Sequence, residues 1–174
     1  ILAYGSLIDD PGEEIAPKII QRIECITPFN VEYARMSKSR DNAPTLNPVN
    51  EGGLKVKAKI LLLENISAEE AEDMLWRRET RQSNNLRRYP RKLKPSTNDV
   101  VVKTIENFQG VTKVLFTSIG QNIGLPMANI LANLAIESYY ETAGHKKLDG
   151  VHYLLQAKRN GIITAISVEY EKVI

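Results

Sequence analysis

Two stretches of this chain carry residue types that could do chemistry if the fold brought them together: "AYGSL" near the start and "LWRRET" in the middle. Ile1 to Tyr4 is an apolar run that closes in Gly5-Ser6. A glycine at a strand end lets the backbone turn sharply and approach a ligand closely, and successive N–H groups in such a turn can converge on an anion. The plainer alternative is an ordinary strand-to-helix turn. Glu79 lies four residues after Leu75, which shares a helical stripe with Ala71. Burial beside that stripe and the negative end of the helix dipole both disfavour a charged carboxylate, whereas Arg77, Arg78 and Arg81 favour it. A carboxyl group so poised suits general acid/base work. The plainer alternative is a surface ion pair with a neighbouring arginine.

Ile1 to Tyr4 is a short buried strand, and Asp10-Pro11 reads as a helix start, with Asp as cap and Pro at the first helical position. Asn30 to Met36 reads as a strand with Val31, Tyr33 and Arg35 on one face. "SKSRDNAPTLNPVNEGG" is rich in turn formers and reads as a loop with a brief extended piece at Thr45-Leu46. In "GLKVKAKILLLE" the apolar Leu54, Val56, Ala58, Ile60 and Leu62 alternate with Lys55, Lys57 and Lys59, the period of a strand with one face on the core. Ser67 and Glu70 form a capping box, Ile66 is placed as a hydrophobic staple, and the helix they open should run to about Glu79. "DVVVKTIE" and "VTKVLFTSI" predict two strands joined around Asn107–Gly110. Two helices follow, one ending at Gly144 and one at Gly161, and Ile166, Tyr170 and Val173 recur at helical spacing in the last segment. Strands dominate the first two thirds and helices the last, which predicts an α+β fold.

The 174 residues fit one domain able to bury a core without disulfide or metal. We read residues 1–174 as that single domain, with a strand-rich part to about residue 120 and a helical tail over about 125–174. A formal charge of +2 does not by itself argue for nucleic acid. Cys25 is the only cysteine, which excludes an internal disulfide framework and fits a reducing, cytoplasmic setting. No apolar run reaches the roughly 18 residues needed to span a bilayer. Ile1 already reads as the inside of a strand.

Other constellations are weaker. Arginines and lysines are dense from Arg77 to Lys94, where Glu79 is the only acid. A solvated face is the first reading, steering of a small anion the second and nucleic acid the last, because after Trp76 only Tyr89 offers a ring for stacking. His145 and His152 match no zinc spacing, even with Glu141. Ser6 is in no nucleophile elbow, and no phosphate-binding glycine fingerprint is present.

"YGSL" closing an early strand, followed about seventy residues later by a helix ending in "RRE", resembles the γ-glutamylcyclotransferase-like superfamily. "YGSLIDDPG" and "LWRRE" are especially similar to its glutathione-specific ChaC branch. The resemblance covers roughly the first 120 residues. It implies a small mixed β-barrel of about six strands with helices around it. It implies Glu79 as catalytic acid/base, Gly5, Ser6 and Leu7 as a loop whose N–H groups hold the substrate, and Tyr4 as that loop's leading tyrosine. It implies Tyr89 as the substrate-side tyrosine that in the family follows a glycine within a few residues of the Arg-Glu pair; here "TRQSNNLRR" intervenes and no glycine precedes it. The implied reaction needs no cofactor and no metal, and its partner is a small anionic γ-glutamyl substrate. A repurposed binding protein of the same fold is the alternative.

Overall fold

A computed structural model describes residues 1–82 and 84–174. It contains seven strands, β1 (Leu2–Ala3), β2 (Ile19–Ile26), β3 (Asn30–Ser37), β4 (Ala43–Val49), β5 (Lys57–Leu63), β6 (Val101–Phe108) and β7 (Val111–Ser118). Five α-helices accompany them, α1 (Ala68–Thr80), α2 (Ala128–Tyr140), α3 (Thr142–His145), α4 (Gly150–Arg159) and α5 (Ser167–Val173). The fold is α+β. The strands form a three-stranded sheet in the order β1-β5-β2 and two hairpins, β3-β4 and β6-β7. Among the described residues these pairings close no barrel. No described helix is long and apolar enough to cross a membrane. The chain divides into two compact units, one of residues 1–25 and 58–120, the other of residues 26–57 and 121–174.

In the first unit β1 runs antiparallel to β5, with Leu2 opposite Ile60. Leu2, Ile60, Leu61, Leu75 and Val114 are fully buried in its core. β6 and β7 join through Gln109 and Gly110, both at positive φ, which matches the right-handed twist of a tight hairpin. Helix α1 packs on this hairpin. It starts where the capping box predicts: the Ser67 hydroxyl accepts from the Glu70 N–H, and the Glu70 carboxylate accepts from the Ser67 N–H. Glu69 and Glu70 sit at the positive end of the helix, Arg77 and Arg78 at the negative end. The hydrogen bonds from Ser67 hold the Glu70 carboxyl below its ordinary value. The folded form therefore gains most above the ordinary carboxylate range near 4.5, and loses that gain as pH falls through the lowered folded value. Ser67→Ala should cost about 1 kcal/mol at neutral pH, read as a lower urea midpoint. The difference from the parent should shrink once Glu70 is protonated.

In the second unit β3 and β4 pair from Asn30 opposite Val49 to Ser37 opposite Ala43, with a bulge between Tyr33 and Arg35. Helices α2, α4 and α5 complete it around a tyrosine cluster. Tyr33 meets Tyr170 edge-on at 5.1 Å and Tyr153 at 6.4 Å. The buried carboxylate of Asp149 caps α4 by accepting from the N–H groups of Val151 and His152. A Cβ at Gly150 would lie 2.7 Å from Ala135, so the bare glycine lets α4 approach α2 closely.

Several sequence expectations need correction. No helix starts at Asp10-Pro11; Gly12 follows at φ +85°, and only a short 3-10 turn forms, at Ala16–Lys18. The expected loop over 37–53 contains the full strand β4, not just Thr45-Leu46. Its Pro44 and Pro48 are tolerated because β4 has one neighbour and needs no second row of N–H donors. Strand β2 was not expected; all of its side chains are half-buried or exposed, and its apolar alternation is short, interrupted by Gln21 on the half-buried face and by Ile20 and Ile26 on the exposed one. Leu54, expected on the core face, is 46% exposed. The helix expected over 126–144 breaks at Glu141, whose backbone is extended.

Candidate functional site

Directly after β1 the chain makes one 3-10 turn, Gly5–Ile8. Gly5 adopts φ +68°, a left-handed conformation that costs an L-residue roughly 1–2 kcal/mol. The Ser6 carbonyl accepts from the N–H groups of Asp9 and Asp10, which tightens the turn. Tyr4 anchors it from the other side: its phenol donates to the Thr117 carbonyl on β7 at 2.7 Å. Leu7 and Ile8 are buried, while Ser6 stays partly accessible.

The last turn of α1 delivers Arg78 and Glu79 to this loop. Arg78 Nη1 donates to Glu79 Oε1 at 2.6 Å. Arg78 Nη2 donates to the Asp10 carbonyl at 2.6 Å and to Ser6 Oγ at 3.3 Å, and lies 3.6 Å from the Asp10 carboxylate. One guanidinium thus joins the Tyr-Gly-Ser-Leu turn to Glu79. The Glu79 side chain is 25% exposed and that of Arg78 15%, so both are held against protein with one side open. A planar fork is needed for this geometry, since its donors point in fixed and different directions. Gly12 makes room for it: a Cβ there would lie 2.9 Å from Arg78 Cγ.

The neighbouring Arg77 faces elsewhere. It grips Glu14 with two bonds, Nε to Oε1 at 2.9 Å and Nη2 to Oε2 at 2.6 Å, and donates from Nη1 to the Arg87 carbonyl at 2.6 Å. The hydrogen bonds it donates to Glu14 raise the pKa of its guanidinium. The two arginines therefore tie both segments that flank α1's end, residues 10–14 and the connection after the helix.

Of the residues expected at the site, the structure joins Ser6 and Glu79 through one guanidinium; Gly5 and Leu7 flank Ser6 in the same turn, and Tyr4 precedes it, with its phenol on Thr117. Tyr89 lies elsewhere. It lines a cavity of about 330 Å³ with Trp76, Thr80, Arg87 and Lys92, a lining that includes none of Tyr4, Gly5, Ser6, Leu7 or Glu79. Glu79 is paired with a neighbouring arginine, and that arginine is also bonded to the loop. The bridging role of Arg78 and the parts played by Asp10, Gly12 and Glu14 were not expected. The available signal was charge complementarity: four acids flank Pro11-Gly12, and two of them, Asp10 and Glu14, match Arg78 and Arg77 at the end of α1.

Other candidate groups are engaged structurally. His152 Nδ1 lies 2.6 Å from the Asp149 carboxylate, and its ring stacks on Tyr139. Among the described residues no cluster of three or more His, Cys, Asp or Glu side chains could hold a metal ion. Burial, with help from the Glu24 charge, pushes the Cys25 thiol up, which makes it a poor nucleophile near neutral pH.

Comparison with protein-family models, with curated proteins and with solved structures finds no match to this chain.

Proposed function

We propose that the chain catalyses a γ-glutamylcyclotransferase-type reaction: intramolecular aminolysis of a γ-glutamyl amide or peptide that releases 5-oxoproline and an amine or peptide. The observation that carries this reading is the Arg78 guanidinium, bonded at once to Glu79 and to Ser6 and Asp10. It makes one open-sided site out of the two stretches that resemble the γ-glutamylcyclotransferase-like superfamily. The reading takes with it that family's small barrel of about six strands and a cytoplasmic setting.

A γ-glutamyl amide carries its own nucleophile, the α-amino group. Attack of that amine on the γ-carbonyl carbon forms the ring C–N bond, and collapse of the tetrahedral intermediate breaks the bond to the leaving amine. Glu79 takes a proton from the attacking nitrogen and returns one to the departing nitrogen, so no proton is gained or lost overall. The protein's other task is to hold a flexible substrate folded, with amine and carbonyl in contact. Backbone N–H groups of the Gly5–Leu7 turn are the donors for the substrate's carboxylate or for the developing oxyanion. Arg78 supplies a fixed positive charge beside both, suited to a small anionic substrate. No cofactor or metal enters any of these steps.

A second reading has its own observation. The 2.6 Å contact of Arg78 with Glu79 engages one of the two carboxylate oxygens in an ion pair, which suits a repurposed member of the fold that binds a small ligand and does not turn it over. A panel of γ-glutamyl amino acids, γ-glutamyl amines and glutathione separates the two. The enzyme reading expects 5-oxoproline from at least one member, and binding without product from any of them would overturn it.

The loop's role has its own test. Gly5→Ala places a Cβ on a backbone at φ +68°. The turn should shift and KM should rise, with the urea midpoint lowered by no more than about 2 kcal/mol of stability. Unchanged KM and kcat would remove the turn from the substrate site.

A further inference from the structure

The connection from α1 to β6 runs from residue 81 to residue 100. Connections of that length without regular structure are uncommon inside a compact unit, and when ordered they tend to be functional. The described residues of this one are pinned repeatedly. The Arg87 carbonyl accepts from Arg77. The Tyr89 N–H donates to Asp73 Oδ1 at 2.9 Å, and its phenol accepts from the Val102 N–H at 3.1 Å. Arg91 pairs with Glu72, and Asp99 accepts from Lys92 Nζ at 2.7 Å and from the Ser96 N–H at 2.7 Å. The bond from Lys92 does most to bring the Asp99 carboxyl down to about 2.

What these bonds hold in place is the 330 Å³ cavity, a volume in the range of small-ligand sites. Its lining is of two kinds. Trp76, Tyr89, Pro90 and Pro95 give it flat apolar walls, and the two rings lie 6.3 Å apart at a tilt of 39°. Arg87, Arg88 and Lys92 give it three cations against the single carboxylate of Asp99. The cations are not equivalent. Lys92 is paired with Asp99, and Arg88 with Asp73 and Glu69. Arg87 forms no ion pair among the described residues. Its guanidinium lies 5.8 Å above the Trp76 ring and donates to the Gln82 side-chain oxygen. An exposed arginine oriented by a ring and an amide, without a carboxylate partner, is a ready fork for an anion.

We infer that this cavity is a binding site for a small organic anion. A carboxylate or phosphate group of the ligand meets Arg87, and a flat apolar body lies against the Tyr89 and proline walls. The site is separate from Glu79 and does not depend on the reaction proposed for it. Trp76 is the chain's only tryptophan, so its fluorescence reports the cavity directly. Phenyl phosphate and benzoate serve as probes for the two anion types, and phenol as the uncharged control. The expected result is a saturable change with at least one of the anions, half-complete below about 1 mM, with none from phenol at that concentration. Arg87→Gln should weaken this response at least about tenfold at an unchanged urea midpoint. Arg87→Lys, which keeps the charge but loses the fork, should fall between. Glu79→Gln and the exposed Arg22→Gln should bind as the parent does. The inference is overturned by no saturable response to either anion, by an equal response to phenol, or by parent-like binding in both Arg87 variants.

Discussion

Replacing Glu79 by Gln is expected to lower turnover of a γ-glutamyl substrate by at least about 10² while leaving the fold in place. The amide has the carboxylate's shape and can still accept the hydrogen bond from Arg78 Nη1. What it cannot do is take a proton from the attacking amine or hand one to the leaving group. The loss should therefore fall on kcat, with KM changed much less, because the turn at Gly5–Leu7 and the Arg78 fork are untouched. Far-ultraviolet circular dichroism and the urea midpoint should match the parent. If Glu79→Gln turned substrate over at the parent rate, Glu79 would not be the base.

The second large effect is on stability. Leu75 has no exposed surface and lies one helical turn before Glu79. Leu75→Ala should destabilise the protein by about 2–5 kcal/mol, combining lost transfer energy with the cavity left under α1. Leu86 and Leu93 follow in the connection after the helix and are 83% and 96% exposed. The same substitution there should stay within about 0.5 kcal/mol. Equilibrium urea unfolding distinguishes these outcomes. A Leu75→Ala protein with the parent's midpoint would mean that α1 does not rest on this side chain.

How much of this was legible in the sequence depended on whether local chemistry alone determined the element. Helix α1 was legible from its Ser67 cap to about Glu79, one residue before its observed end at Thr80, because a reciprocal cap and an apolar stripe are both local signals. The β6–β7 hairpin was legible because Gly110 punctuates two β-rich runs. Strand β4 was not. Its two prolines and its asparagine argue for a loop until β3 lies beside it, and that pairing partner is supplied by tertiary structure. Strand β2 failed for a different reason: its half-buried face, Ile19, Ile23 and Cys25, is broken by Gln21, and Ile20 and Ile26 lie on the exposed face, so the period of two is blurred. At the candidate site the loop glycine and the helix-end carboxylate could be named from residue type and order. The link between them could not, because it depends on which way Arg78 points. Adjacent Arg77 and Arg78 read as interchangeable in sequence. In the structure one grips Glu14 and the other joins Ser6, Asp10 and Glu79. The cavity at Trp76 and Tyr89 was hidden in the same way: the basic run was visible, but not that Arg88 and Lys92 are neutralised by nearby acids while Arg87 is left without one.

The central claim is the reaction itself, and its products distinguish it from the alternatives. Attack by the substrate's own amine yields 5-oxoproline and the released amine in equal amounts, whereas attack by water would yield glutamate. The most direct test is to quantify all three products after incubating the purified chain with each γ-glutamyl compound of the panel. The account predicts equal 5-oxoproline and amine, with no glutamate, from at least one compound, and loss of both products with Glu79→Gln. Release of glutamate in place of 5-oxoproline, or no product from any compound, would contradict it.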